Sequence, residues 1–296
     1  MASVGGLESK LTLHEAARHG PALAADDDGR LLLAWAGTDS PSRVNLMSST
    51  DGIAWSNKAA MHETTSSTPA VASDRGRVFV AWTGDDRKRS VNLVSTADAK
   101  FRAWDEKIVF SESSLAGPAL AVGGGRLYLA WTGLDRRLTV MSWDGGATWS
   151  DKVTLSEMNT GQPSLVVQND TLYVLWSGTD RAHTLNAIAV APDGQFGDAI
   201  ALGETSPYPP ALAVGADGLP RLVWTGSGNR SLNAVVYGEP LPDGLSSAQA
   251  DKRTYEDTTV DGPAACAWQG RIALAWTGTD QSGRLNVATL SAGATA

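Results

Sequence analysis

Pro118-Ala-Leu-Ala-Val-Gly-Gly-Gly-Arg-Leu-Tyr-Leu-Ala-Trp-Thr-Gly133 is the stretch on which the fold turns. It reads as two short strands joined by a glycine turn. Pro118–Val122 is the first strand, Gly123–Gly125 the turn, and Arg126–Trp131 a second strand with period-two alternation. The phrase recurs six times, led by Pro21, Pro69, Pro118, Pro163, Pro210 and Pro263. Each proline is followed 13 or 14 residues later by Trp35, Trp82, Trp131, Trp176, Trp224 or Trp276. The prolines lie 45–53 residues apart, the period of a β-propeller built from four-stranded blades. Helical repeats have similar periods, but long 3.6-residue periodicity is missing and glycine interrupts too often.

Working outward from Trp131, two further strands complete the repeat: Leu138–Ser142 and Trp149–Leu155. The four strands are called A to D from the axis outward. Strand A is alanine-rich, which suits the crowded centre of a ring. The last repeat has strands at Pro263–Trp268, Arg271–Trp276 and Leu285–Leu290 but no D strand. A spare D-like segment, Lys10–Ala16, precedes the first. The expectation is an all-β, six-bladed propeller of four-stranded antiparallel blades, closed by the N-terminal strand. Closure leaves no long open sheet edge. One domain spans 1–296, with blades at about 20–66, 67–115, 116–160, 161–207, 208–259 and 260–296 plus 10–16. The largest departure from the repeat is Gly238–Arg253, whose composition reads as an exposed loop.

The 296 residues carry a net charge of -8, which argues against a general binder of nucleic acid or anionic membrane. No apolar run is long enough to span a bilayer. Cys266 is the single cysteine, so no disulfide framework exists. The four histidines show no zinc spacing, and neither metal nor cofactor is expected. Met1–Gly6 lacks the features of a signal peptide. Location stays open, with a secreted protein whose signal has been removed preferred over a cytoplasmic one.

Ser142-Trp-Asp-Gly-Gly-Ala-Thr-Trp149 resembles the Asp-box, the turn of sialidase-type (bacterial neuraminidase repeat) propellers. Ser49–Trp55 is a shorter form, and Asp98–Trp104, Pro192–Phe196 and Pro242–Leu245 are degraded ones. The resemblance implies the propeller fold; the box itself specifies no activity. A catalytic sialidase would further imply a Phe/Tyr-Arg-Ile-Pro motif, three arginines on the substrate carboxylate, a Tyr–Glu nucleophile pair and an Asp acid/base. Glu15–Pro21 offers Arg18 without that context. Tyr255-Glu256 is explained by the repeat, so no catalytic residue is assigned and a binder is favoured over an enzyme.

Antiparallel pairing places the B–C loops and D–A connections on one face. Polar residues recur there. Strand D ends in Glu15, Glu63, Glu112, Glu157, Glu204 or Glu256, six residues before its proline except for Glu256 at seven. An Asp follows Trp-x-Gly in five repeats: Asp39, Asp86, Asp135, Asp180 and Asp280. Strand C opens with Asn45, Asn92, Asn186, Asn233 or Asn286, with Thr139 in repeat three. The B–C loops hold Arg43, Arg89, Arg137, Arg181, Arg230 and Arg284. Carboxylates, amides and guanidinium groups suit sugar hydroxyls, and an aromatic ring suits the apolar face of a pyranose. Six similar sites would gain avidity on clustered glycans or glycoconjugates.

The same residues can hold turns and bridge blades. Scaffold roles are expected for Trp and Asp and ligand binding for Glu and Arg; for Asn both stay open. The function expected is a non-catalytic, multivalent, lectin-like propeller. A diverged sialidase-like glycoside hydrolase and a protein-binding scaffold are the alternatives.

Overall fold

The computed structural model describes residues 3–150 and 152–290. Twenty-four strands form six four-stranded antiparallel sheets arranged as a ring. Blade one comprises Ala22–Ala25, Leu31–Ala36, Arg43–Ser49 and Trp55–Thr64, and the next four blades repeat that order. Blade six takes Ala264–Trp268, Arg271–Thr277 and Arg284–Leu290 from the C-terminal end and Leu7–Ala16 from the N-terminal end. Leu7 pairs with Leu290 and Ala16 with Arg284, so the closing strand begins three residues earlier than the sequence pattern indicates.

Why these strands stack as blades follows from their period of two. In strand B of blade four, Leu172, Val174 and Trp176 enter the core shared with blade three. Tyr173 and Leu175 enter the core shared with blade five. Alternate side chains thus serve opposite neighbours, and a strand apolar on both faces is buried on both. Every one of the six cores lies between two adjacent blades, and each recurring tryptophan packs at such an interface. A buried indole removes about 150–250 Å² from water, which makes these rings the largest single contributors to blade stacking.

Two local expectations change. Strand D of blade three is Val153–Met158, not Trp149–Leu155. The preceding turn holds the chain out of the sheet: Ser150 N–H donates to Ser142 O at 2.8 Å, and Trp143 stacks on Trp149 with centroids 6.2 Å apart. Pairing resumes only at Val140 with Val153. The segment read as a loop from Gly238 to Arg253 becomes strand at Gln249. Its earlier part forms a short 3-10 turn, Asp243–Ser246, that puts Leu241 and Leu245 into the core between blades four and five.

A second closure device precedes the closing strand. Ser3–Gly5 lies against strand D of blade five, with the Val4 side chain in the core. Asp251 accepts from Val4 N–H at 2.9 Å and Ser3 Oγ at 3.0 Å, and Tyr255 Oη donates to Gly5 O at 3.0 Å. Arg221, 1% exposed, grips Asp217 through two bonds of 2.8 and 2.7 Å and reaches Ser3 O. No helix among the described residues is long and apolar enough to cross a membrane.

Candidate functional site

The B–C loops and D–A connections meet on one face, as the strand directions require. Bridges such as Asn159 to Gly178 and Thr65 to Gly84 tie the D–A connection of one blade to the B–C loop of the next. Each loop is organised from within. Asn186 Nδ2 donates to Thr184 O at 2.7 Å, and Asp180 accepts from Thr184 N–H and Oγ1 at 2.9 and 2.7 Å. A Cβ on Gly178 would lie 2.9 Å from Asp180 Oδ1 and 3.1 Å from Asn186 Nδ2, so the glycine of Trp-x-Gly is there because the two polar side chains fold over it. The amides of Asn45, Asn92, Asn233 and Asn286 make the same bond to the carbonyl two residues earlier, at 2.7–3.1 Å. The scaffold expectation for Asp and one of the two open readings for Asn thus have a defined geometry. Donation from the Thr184 hydroxyl and then its N–H holds the Asp180 carboxyl below the ordinary carboxylate range.

The arginines do not occupy one repeated position. Arg43, Arg137 and Arg284 open strand C. Arg89 and Arg230 stand one residue earlier, in left-handed backbone, and Arg181 lies deeper in its loop. Arg43 and Arg137 face Asp39 and Asp135 at 3.7 and 4.0 Å, and Arg284 acts electrostatically on Asp280. Arg89 donates to Leu115 O. The side chains of Arg181 and Arg230 are exposed and make no hydrogen bond or ion pair among the described residues. Six loops each holding an arginine therefore do not make a ring of six equivalent arginines.

The strand-end carboxylates do form a ring, with one substitution. Met158 pairs with Arg137, Thr205 with Thr184 and Thr258 with Ser231. The residue before each is Glu157, Glu204 and Asp257. The repeat position in blade five therefore belongs to Asp257, and Glu256, exposed to solvent, is one residue out of register. In a strand that slip of one points the side chain to the opposite face.

Five of these six carboxylates are held by a lysine from the next blade. Lys58 meets Glu15 at 2.7 Å, Lys107 meets Glu63 at 2.9 Å, Lys152 meets Glu112 at 2.7 Å and Lys252 meets Glu204 at 2.7 Å. Lys10 pairs with Asp257. Three of the ammonium groups also lie over the recurring tryptophan of their own blade: Lys58 over Trp35 and Lys10 over Trp276 at 5.9 Å, Lys252 over Trp224 at 5.2 Å. In these three gaps an aminobutyl chain runs from tryptophan to carboxylate. Glu204 is the most enclosed, 8% exposed and also bonded by Gln249 at 3.1 Å. The lysines stand five residues before the carboxylate of their own strand, a spacing visible in the sequence but not singled out from it.

The sixth gap, between blades three and four, lacks its lysine. Ile200 pairs with Ala187 as Val153 pairs with Val140, so Ala199 stands where Lys152 stands in blade three. Among the described residues Glu157 keeps only a long bond, 3.3 Å, from Ser156 Oγ. An open cleft of about 440 Å³ takes the place of the chain, lined by Ser156, Glu157, Trp176, Asp180, Thr184 and Asn186 among others. Of the expected ligand-binding residues, this cleft brings together Glu157 and Asn186; Arg181 does not line it.

Two other concavities differ in kind. The mouth of the axial channel is lined by prolines, alanines and leucines around Thr68, Gln162 and Ser164, with no arginine, tyrosine or carboxylate in its lining. On the opposite face, a cavity of about 360 Å³ lies at the seam of blades six and one, against Trp55 and Trp268. Its polar groups are used within the fold: Asp51 accepts from Ile53 and Ala54 N–H, and Trp268 Nε1 donates to Gly29 O at 2.7 Å. The tyrosines Tyr237 and Tyr255 are buried, donate to backbone carbonyls, and have their phenols raised above the ordinary range by that burial, Tyr255 to about 12.

No protein-family model and no curated protein sequence matches the chain. Solved structures match its fold. A Dyadobacter fermentans protein of unknown function superposes with a TM-score of 0.73 at 13% identity, over 95% of this chain and 97% of that one. A Hadza microbial sialidase gives 0.68 at 14% identity, over 94% and 66%. The SapL1 lectin in complex with α-methyl fucoside gives 0.66 at 10% identity, over 94% and 95%. The chain shares the six-bladed propeller fold of sialidase-like proteins.

Proposed function

We propose that this propeller is a non-catalytic carbohydrate-binding protein that binds through the face formed by its B–C loops and D–A connections. The observation that carries the reading is the open cleft between blades three and four. There Glu157, Asp180, Thr184 and Asn186 stand around a floor that includes Trp176, while the equivalent gaps are bridged by lysine. Asp180 and Thr184 are bonded to each other and shape the wall, and the Glu157 carboxylate, the Ser156 hydroxyl and the Asn186 side-chain oxygen are the groups that match the hydroxyls of a sugar. The similarity to a fucoside-bound lectin supports the same class of ligand. Glu15, Glu63, Glu112 and Glu204 are engaged by lysine, so the reading places the principal site at one gap; Arg181 and Arg230 are exposed on the same face outside that cleft.

The apolar lining of the axial mouth and the buried, carbonyl-bonded Tyr237 and Tyr255 support a binder over a sialidase-like hydrolase. A glycan array probed at high protein density tests the proposal. Binding to a defined set of glycans is expected; a signal no higher than background across the array would reject it. A fluorogenic sialoside, tested alongside, is expected to show no turnover, and turnover would move the chain to the hydrolases.

A further inference from the structure

From the five filled gaps we infer that the sixth is a receptor for a primary ammonium group, carried by a sugar with a free amine. The inference rests on the carbohydrate-binding reading and specifies the group bound. Its ground is internal to the molecule. Each filled gap holds an ammonium against a strand-end carboxylate, and in three of them the ammonium also lies 5.2–5.9 Å from the centroid of the recurring indole. A carboxylate gives a charge-assisted hydrogen bond and the indole face attracts the cation as well. Between blades three and four Glu157 and Trp176 are kept, the indole buried at 2% exposed as in the filled gaps, and only the lysine is gone, replaced by Ala199. Glu157 has no cationic partner among the described residues. A ligand that supplies the missing ammonium therefore completes an ion pair that the chain itself builds five times, three of them beside an indole.

The surroundings favour an amino sugar over a lysine side chain from another protein. The cleft is wide, about 440 Å³, more than an aminobutyl chain fills. Beyond Glu157 its walls offer the hydroxyls of Ser156 and Thr179 and the side-chain oxygen of Asn186, while Asp180 and Thr184 are bonded to each other; hydroxyl and amide oxygens match ring hydroxyls better than methylene groups. The pairing partner of Asn186 in strand D is Ala201, where Asn233 and Asn286 have Thr254 and Thr12 donating to their side-chain oxygens. The Asn186 oxygen is thus left to accept from a ligand hydroxyl.

The probe is glucosamine, compared with N-acetylglucosamine, whose nitrogen carries no charge, and with Nα-acetyl-lysinamide. Binding is followed by the backbone amide resonances of Thr184, Asn186 and Glu157 in the intact 296-residue chain. Glucosamine is expected to cause saturable shifts and N-acetylglucosamine at least ten-fold weaker ones. Glu157→Gln is expected to weaken glucosamine binding at least ten-fold. Ala199→Lys places the lysine in cis and is expected to abolish the shifts while leaving the melting temperature at or above that of the parent. Equal binding of the acetylated and free sugars, or undiminished binding by Ala199→Lys, overturns the inference. Tighter binding of the lysinamide than of glucosamine overturns it too, by assigning the cleft to protein lysines. If N-acetylated or neutral glycans shift these resonances and glucosamine does not, the ammonium inference falls and the carbohydrate reading stands. If no sugar shifts them and the array is blank, both fall.

Discussion

Replacing Asp217 by alanine should be among the costliest single changes available outside the apolar cores. Arg221 is 1% exposed and its guanidinium is held by both carboxylate oxygens of Asp217, at 2.8 and 2.7 Å. Hydrogen bonding from Arg221 is also the first cause that holds the Asp217 carboxyl below its ordinary range. Removing one member of a buried pair strands the other charge, at a cost of roughly 3–5 kcal/mol. Asp217 is 27% exposed at its side chain, and Leu219 O and Ser3 O remain as acceptors. Water can enter on the vacated side, so the lower end, about 3 kcal/mol, is expected. For a chain of this size each kcal/mol moves the melting temperature by roughly 2 °C, so calorimetry should show a fall of about 6 °C. Because Arg221 also holds Ser3, the arm from Ser3 to Gly5 should loosen, and proteolysis should trim it faster. Adding Arg221→Met to Asp217→Ala removes the stranded charge and should recover much of the loss. A melting temperature unchanged by Asp217→Ala, or a double variant no better than the single, would refute the reasoning.

Glu63→Gln breaks an exposed bridge to Lys107 and should cost no more than about 1 kcal/mol, read as a melting shift of at most about 2 °C. Glu204→Ala, at the enclosed bridge to Lys252 and Gln249, should cost roughly 1.5–3 kcal/mol in urea unfolding, clearly more than Glu63→Gln. Gly178→Ala pushes a methyl into Asp180 and Asn186 and should cost about 1–3 kcal/mol, and it should distort the cleft that those residues line. Asp51, Asp98 and Asp280 are held below the ordinary carboxylate range first by backbone N–H groups of Ile53, Lys100 and Arg284. A carboxylate depressed on folding stabilises above its unfolded pKa of about 3.9 and loses that contribution as pH falls through the folded value. The melting temperature should therefore fall as pH drops below about 4, and these groups should add no slope above about pH 5.

The ring was legible because its cause is local and repeated. Proline, tryptophan and glycine recur at one spacing, and the missing last D strand is matched by Lys10–Ala16. What escaped the sequence was register within a strand and contact between blades. Glu256 and Asp257 are adjacent carboxylates, and only the pairing of Thr258 with Ser231 decides that Asp257 takes the repeat position. The arginines recur in every B–C loop but at different places relative to strand C, which loop composition alone conceals. The lysine bridges join residues 40 or more positions apart, such as Lys107 and Glu63, so neither partner predicts the other locally. Their signal was nonetheless present, because Lys10, Lys58, Lys107, Lys152 and Lys252 keep one spacing and only Ala199 breaks it. Ser3–Gly5 carried no pattern; its place follows from Arg221, Asp251 and Tyr255, which lie far along the chain.

A crystal structure of the protein with a glycan selected from the array would test the central claim most directly. The sugar is predicted between blades three and four, within hydrogen-bonding distance of Glu157 and Asn186 and over Trp176. A sugar bound instead at the axial mouth, at the seam of blades six and one, or at a gap whose lysine bridge stays intact would contradict it.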